Sequence, residues 1–515
     1  MTVQPSYPPS DTSLARLLAG WLPRQRWFGG KDGPIDDLAI ATATELLPGD
    51  PALHHLIIDV HQNTGTDHYQ VLLGVRRDLP EALEPHAIGR LDGREHGITG
   101  HVYDGAHDPR LTRPLLAHMA DERTIGPLRF HRAPGTGIRT DLDAAPASAE
   151  QSNTSLIFGD AYICKLFRRL SPGVNPDLEI NLALSREGCE HVPAVHGWIE
   201  LEPGAHAVSG PAGDEPVTLA LLSEFLRTAT DGWHLALTSV RDWLAQPWPP
   251  TADGGPTAAD AGEAGGDFAA EAERLGAATA AVHRALADAF GVTQAPPELL
   301  RETVFAMNEQ LDQVSSAVPQ LRPYAHAIRA VFDEVAADAG PLTVQRVHGD
   351  YHLGQVLRTE TGWTLLDFEG EPPARPTSAG RPRTRCATSP ACSARSSTRR
   401  ASCWCATPTS RPTPPTSSNS APRRGRSGTG RRSAPGYAAA GGPDPAAHAA
   451  LVRAFEFDKA VYEIRYEAAN RPAWLPVPLR SLARLAGLTR RGVTGRWSSR
   501  GRPGRRAARC RGRPP

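Results

Sequence analysis

The stretch LTVQRVHGDYHLGQVLRTETGWTLLDFEG, residues 342–370, decides how this chain is read. An apolar run opens it and a His/Gly/Asp loop follows. Two more short apolar runs then flank a Thr/Gly turn, which gives strand, loop, strand, turn, strand. Two acids stand at the ends of this unit, Asp350 in HGDYHLGQ and Asp367 in DFEG. Phosphoryl transfer to a hydroxyl needs an acceptor for the hydroxyl proton and oxygen ligands for Mg²⁺. Asp350 is the candidate base, and the Gln355 amide oxygen and the Asp367 carboxylate are the candidate metal ligands. The hairpin between them is expected to bring the two ends together. His348 is expected to brace the loop. The competing reading is two loop acids in ordinary turns.

Upstream, SNTSLIFGDAYICKLF (152–167) is predicted to be a hairpin around Gly159-Asp160. Lys165 lies on its second strand. A helix is predicted from Pro176, with Asn175 as cap and Asp177 and Glu179 in its first turn. A strand lysine with a helix glutamate 14 residues on suits a phosphate-binding Lys held by Glu179. The polar run Ser152, Asn153, Thr154 and Ser155 lies where a phosphate-covering loop is expected, although it lacks glycines. Downstream, FDKAVYEIRYEAANRPAWLP (457–476) places Lys459, Tyr462, Glu463, Tyr466 and Glu467 within two helical turns. Aromatics edged by carboxylates suit a sugar. The competing reading is a helix laced by a Lys459–Glu463 pair with its tyrosines in the core.

The remaining pattern is β-rich first and helical later. A short amphipathic helix at 13–22 precedes apolar runs (LHHLIIDV, HYQVLLGV) that read as an antiparallel sheet. Residues 217–226 read as a buried strand. Helices are predicted over 267–290, twice within 299–338, and over 446–471, with a Pro/Gly/Ala loop at 247–266. The length alone suggests roughly two to four domains. No run approaches a membrane span and the first residues are no secretory signal, so a cytoplasmic protein with reduced thiols is expected.

The 515 residues carry 56 Lys+Arg and 56 Asp+Glu, yet only Lys31, Lys165 and Lys459 are lysines. Between Glu371 and Asp444 there is no acid and no Leu, Ile, Val or Phe. Composition alone reads about 375–433 as a disordered linker. Shifting the frame of GC-rich codons by one nucleotide turns CATSPACS into approximately RDVAGML, an ordinary helix. We therefore read a frameshift near 375 with the frame restored around 433, and a second shift from about 488. The two stretches hold 23 arginines and no acid, which leaves 33 basic against 56 acidic residues elsewhere. Formal neutrality thus masks a strongly acidic body, the opposite of a nucleic-acid binder. A non-catalytic protein gripping nucleic acid through its Arg-rich segments is the reading from a different class.

These motifs together resemble the actinobacterial maltokinases, members of the aminoglycoside-phosphotransferase and protein-kinase-like superfamily. The strings that carry the resemblance are RWFGGK (26–31), EQSNTSLIFGD (150–160), KLFRRL (165–170), NPDLE (175–179), SEFLRTATDGW (223–233), HGDYHLGQVL (348–357), LLDFEGEP (365–372) and DKAVYEIRYEAANRPAWLP (458–476). Gln355, where most of the superfamily has Asn, narrows the match. The resemblance implies an α+β, bilobal protein-kinase-like fold with an N-terminal β-rich cap subdomain and a helical C-lobe, with domain bounds at 1–90, 91–227 and 228–487 and a tail at 488–515. It implies ATP and Mg²⁺ as cofactors, and phosphorylation of maltose to maltose 1-phosphate for α-glucan synthesis, with a functional link to trehalose synthase. It further implies a Lys165–Glu179 ion pair and a hinge to adenine at 223–227, including Glu224 and Leu226. The 459–471 helix, ending at Arg471, would line the maltose pocket. No nucleic-acid or membrane partner is implied. The alternatives are a related kinase for an aminoglycoside, choline or another sugar, or a kinase inactivated by the frameshift. The family's helix containing DVAGML, which follows LLDFEGEP, is missing from this chain as written.

Overall fold

The computed structural model describes residues 13–31, 33–147, 152–205, 215–245, 268–337, 342–369 and 428–487. The expected 247–266 loop, the tail from 488 and most of the out-of-frame segment lie outside the described residues. These residues form two compact bodies. One comprises the described residues up to Gln294, from Thr343 to Glu369 and from Gly428 to Ala447. The other comprises those from Ala295 to Leu342 and from His448 to Gly487.

In the first body, helix α1 (Ser13–Trp21) buries Leu14, Leu18 and Trp21, one helical stripe. The stripe packs on a sheet of β1 (Asp37–Leu47), β2 (Ala52–Gln62), β3 (Gly65–Arg76), β4 (Ala87–Glu95) and β5 (Ile98–Asp104), ordered β1-β2-β3-β5-β4. Residue 90, read as a domain boundary, falls inside β4, and the sheet runs on to Asp104. Strands β2 and β3 read as continuous apolar runs because both faces are covered. Leu56, Ile58, Val71 and Leu73 join the α1 core, while Leu53, Ile57 and Leu72 join the core on the other face.

Helix α2 (Pro109–Ala120) is capped by Asp108, whose side chain accepts from the Arg110 N–H. A second antiparallel sheet follows: β6 (Thr124–Ile125), β7 (Leu128–Arg132), β8 (Ala144–Pro146), β9 (Thr154–Phe158), β10 (Tyr162–Leu166), β12 (Val195–Leu201) and β13 (Val217–Glu224). Its order is β6-β7-β12-β13-β10-β9-β8. The predicted β9–β10 hairpin is present, with Gly159 at φ 55° in the turn. Between β10 and β12 come β11 (Arg169–Leu170), which pairs with β3, and helix α3 (Pro176–Arg186). The junction of the two sheets holds Arg168. It donates to both oxygens of Asp104 (3.1 and 3.0 Å) and to Thr154 Oγ1 (2.8 Å), and it lies over the Trp27 ring.

Strand β14 (Thr230–Asp231) leads into α4 (Gly232–Ala245) and, after residues not described, α5 (Phe268–Phe290). In the second body, α6 (Pro297–Ala317) and α7 (Arg322–Ala337) form the two predicted amphipathic helices. Strands β15 (Val356–Arg358) and β16 (Trp363–Leu365) complete a small sheet, β14-β15-β16, in the first body. Helix α8 (Gly428–Ala439) begins five residues before the point where the frame was read as restored. It crosses α5 glycine to glycine. A Cβ on Gly276 would strike the Ser433 carbonyl, and one on Gly436 the Glu273 carbonyl. The second body is completed by α9 (Ala449–Asn470) and α10 (Pro476–Leu485), packed with α6 and α7 around Leu311, Phe332, Phe457, Ile464 and Leu482.

Candidate active site

Strand alternation buries Cys164 and Leu166 on one face of β10 and turns Lys165 to the other. There the Lys165 Nζ lies 2.7 Å from Glu369 Oε1, 3.0 Å from Asp367 Oδ1 and 3.2 Å from Asp177 Oδ2. The α3 partner of Lys165 is thus Asp177 and not the expected Glu179, which pairs with Arg346 at 2.6 Å. Helical geometry explains the correction. Asp177, Ile180, Asn181 and Leu184 share the buried stripe at i, i+3, i+4 and i+7, and Glu179 is turned about 200° away from Asp177. Asp177 is fully engaged. Its Oδ1 accepts from the Phe368 N–H (2.9 Å) and from Asn181 Nδ2 (3.0 Å).

The two ends of the 342–370 unit do meet. Gln355 Nε2 donates to Asp367 Oδ2 at 2.8 Å, and the Leu366 N–H donates to the Gln355 carbonyl at 2.9 Å. His348 is buried and braces both ends. Its Nε2 donates to the Leu366 carbonyl (2.7 Å), and its Nδ1 accepts from the Asp350 N–H (3.4 Å). Gly349, at φ 95°, makes the turn that leaves Asp350 half-exposed beside the His352 ring (3.8 Å). Tyr351 anchors the loop to α5. The Thr279 hydroxyl donates to the Leu275 carbonyl, so the Tyr351 hydroxyl donates to Thr279 at 2.6 Å. Asp367 sits at φ 64°, a conformation costing about 1–3 kcal/mol in a non-glycine residue, and the flanking bonds at Leu366 and Phe368 hold it there.

Burial and charge act against each other here. Burial disfavours the Lys165 ammonium, yet Asp177, Glu369 and Asp367 together raise its pKa well above the ordinary lysine value. Burial also opposes the Asp367 carboxylate, but Lys165 holds its pKa below the usual range. Glu369 goes the other way: burial, reinforced by Asp367 and Asp177, raises its pKa. Burial lowers the pKa of His348, so the ring is neutral at pH 7 and keeps both bracing bonds. Among the described residues, Asp177, Asp367 and Glu369 present oxygens within 4.8 Å of one another, the donor chemistry that suits Mg²⁺. Asp177 is already spent on three donors. Asp367 and Glu369, with the Gln355 amide turned to present its oxygen, are the groups that fit the ion.

The polar run is only partly a loop. Ser152 and Asn153 form the turn before β9, and Asn153 Nδ2 donates to Glu369 Oε1 at 3.2 Å. Thr154 and Ser155 belong to β9 itself, opposite Leu166 and Lys165. The Thr154 hydroxyl accepts from Arg168 Nε at 2.8 Å, and Ser155 is buried. On the other side of Lys165, β13 ends at Glu224, which is exposed and opposite Tyr162, and Leu226 follows half-buried.

In the second body, α9 carries the predicted sugar-helix residues. Lys459 Nζ lies 3.6 Å from Glu463 and 4.8 Å from the centre of the Tyr462 ring, so the competing i,i+4 pair is formed. The tyrosines are not in the core: Tyr462 is half-buried and Tyr466 is 42% exposed. Arg471 binds Glu467 at 2.5 Å and lies over Tyr466 and Trp474. Glu467 is only 2% exposed, and its Oε2 has no partner among the described residues.

Comparison with known proteins finds chains similar to this one. Residues 21–108 match the maltokinase N-terminal cap domain, and residues 143–370 match the phosphotransferase enzyme family. A glucosamine kinase of Streptacidiphilus jiangxiensis is 31% identical over 308 residues, 56% of this chain and 64% of that protein. One of Mycolicibacterium smegmatis is 30% identical over 231 residues, 44% and 52% of the respective lengths. The chain therefore spans less than two thirds of either relative in sequence. The fold extends further. A solved glucosamine kinase superposes with TM-score 0.61 at 21% identity, covering 92% of this chain and all of its own. Another, in complex with glucosamine, ADP and inorganic phosphate, gives 0.58 at 22%, covering 92% and 99%. No helix among the described residues is long and apolar enough to cross a membrane. Residues 21–108 thus resemble a maltokinase N-terminal cap domain and residues 143–370 a phosphotransferase-family domain, in a chain of protein-kinase-like fold.

Proposed function

We propose that the protein transfers the γ-phosphoryl group of ATP to a sugar hydroxyl, with maltose as acceptor and maltose 1-phosphate as product. The observation that carries this reading is the convergence on Asp367 of Gln355 at 2.8 Å and Lys165 at 3.0 Å, with Asp350 on the same loop as Gln355. Asp350 orients the acceptor hydroxyl and takes its proton as the new O–P bond forms and ADP leaves. Lys165 exchanges carboxylate oxygens for phosphate oxygens. Mg²⁺, held by Asp367 and Gln355, would offset phosphate charge. Neutral His348 keeps the two loops in register. On α9, Tyr462, Tyr466 and Glu463 offer a sugar faces for stacking and an acceptor for its hydroxyls. The product would feed α-glucan synthesis, alongside trehalose synthase.

A second acceptor, glucosamine, is favoured by the names of the relatives at 30–31% identity. The test is ATP consumption with maltose, glucosamine, an aminoglycoside or no acceptor, with product identified by phosphorus NMR. It is run on this chain and on a version with 375–433 translated in the shifted frame. Turnover with glucosamine alone would move the acceptor. Absence of turnover with every acceptor, for both chains, would sink the phosphotransfer reading.

A further inference from the structure

Glu179 and Arg346 form an ion pair for which the reaction scheme above has no use. We propose that they are positioning residues, and that the first turn of α3 is a two-pronged clamp setting Asp350 against Asp367. The proposal rests on the phosphotransfer reading for the purpose of the clamp, though not for its existence.

The geometry is specific. One prong is Asp177, whose Oδ1 holds the Phe368 N–H at 2.9 Å and so fixes the loop that carries Asp367. The other is Glu179, whose Oε2 holds Arg346 Nη1 at 2.6 Å, two residues before His348 and four before Asp350. Arg346 is not free to follow Glu179 elsewhere. Its guanidinium lies 4.5 Å over the Phe290 ring at the end of α5, and neighbouring Gln345 donates to the His283 carbonyl of the same helix at 2.8 Å. A stacked, planar guanidinium presents its N–H groups in one fixed direction, which a lysine in its place would not. Two residues of one helical turn thus grip the two loops that must face each other across the transferred group. The Asn175 side chain, which caps this turn through the Asp177 N–H at 2.8 Å, makes it a rigid anchor.

Both partners are partly exposed, 43% for Glu179 and 27% for Arg346, so the pair adds little to stability. Its effect is expected in the geometry of the loop. The test uses the full chain as Glu179→Gln, Arg346→Lys and the charge swap Glu179→Arg with Arg346→Glu. Two readouts are taken: amide hydrogen exchange of the 346–358 segment, and kcat and KM for ATP with a sugar acceptor. Glu179→Gln is expected to speed exchange in 346–358 while leaving 367–369 unchanged. It should lower kcat by about tenfold, the effect of roughly 1.4 kcal/mol on a barrier, with KM for ATP within about twofold. The swap restores the ion pair without the Phe290 stack, so it is expected to recover part of both readouts. Unchanged exchange in Glu179→Gln, or a swap no better than the singles, would overturn the clamp. If exchange responds as expected while no chain turns over ATP, the clamp stands and the kinase reading falls.

Discussion

The cluster around Lys165 and the tyrosine face of α9 are both rich in paired charges, but they are built differently. Lys165 meets Asp367 and Glu369 from some 200 residues along the chain, and Asp177 from another element, in a buried setting. On α9 the pairs are Lys459–Glu463 and Glu467–Arg471, each one helical turn apart. A long-range buried cluster forms only when the whole fold is in place, and each member depends on the others. A one-turn pair forms wherever the helix does. Function can therefore be argued from the first by geometry, whereas the second would exist in a helix with no ligand at all.

The largest expected effect tests the long-range side. Asp350→Asn should lower kcat by about 10²–10⁴, the range for loss of a positioned base, with thermal stability unchanged because Asp350 is half-exposed. An effect under about tenfold would leave the assembled loop without its assigned chemistry.

Acid should separate the two regions next. His55 and His283 are buried in the first body, and burial lowers their pKa values to about 4 and about 3. Their folded values lie below the unfolded one near 6.5. Their contribution to stability is therefore complete above pH 6.5 and is lost as pH falls below it. Each should cost about 2 kcal/mol between pH 6.5 and 5. Hydrogen exchange over this range should rise in β2, β3 and α5 before it rises in α6, α7 and α9. Equal loss in both bodies would contradict the burial argument.

Asp177→Ala should be smaller and more local. It leaves the Phe368 N–H without its acceptor and takes one of two acceptors from Asn181 Nδ2, which keeps the Asp177 carbonyl; an unmet buried group costs about 1–3 kcal/mol. Glu179→Gln should cost well under 1 kcal/mol of stability, because its partner is half-exposed. Urea titration of the two variants compares them directly. If Glu179→Gln is the more damaging, Lys165 has been given the wrong helix partner.

That pair also shows how far the sequence could be read. The hairpin carrying Lys165 was legible because an apolar alternation broken by Gly-Asp permits little else. The meeting of Gln355 with Asp367 was legible because a short hairpin separates them. The partner of Lys165 required a choice between Asp177 and Glu179, and both the reading of the residues and the resemblance took Glu179, where the structure has Asp177. The 177, 180, 181, 184 spacing already marked Asp177 as the inward residue, though a polar group on an apolar stripe is easily discounted. Thr154 and Ser155 were read as part of a loop and lie on β9, since the run SNTS does not say where a turn ends and a strand begins. Nothing local in KLFRRL announces that Arg168 is buried, because Asp104 reaches it from the other sheet and Trp27 from the turn that precedes β1.

The smallest expected effect bears on α9. Glu463→Gln removes one exposed i,i+4 pair and should change stability by about 0.3–0.5 kcal/mol. If the helix only packs, that is the whole consequence, and the KM for any sugar stays where it was. If the helix meets the acceptor, the same variant raises the KM for the sugar severalfold while the KM for ATP holds, and Tyr466→Phe, which keeps the ring, behaves as wild type in stacking. The two outcomes differ in kinetics and not in stability, so a stability measurement alone cannot choose between them. Glu467 offers the sharper contrast on the same helix. Its carboxylate is buried against Arg471 with one oxygen unpartnered among the described residues, so Glu467→Gln should perturb folding more than Glu463→Gln does. A helix whose exposed acid moves sugar KM and whose buried acid moves stability would be using two faces for two purposes, which a purely local ion-pair ladder would not do.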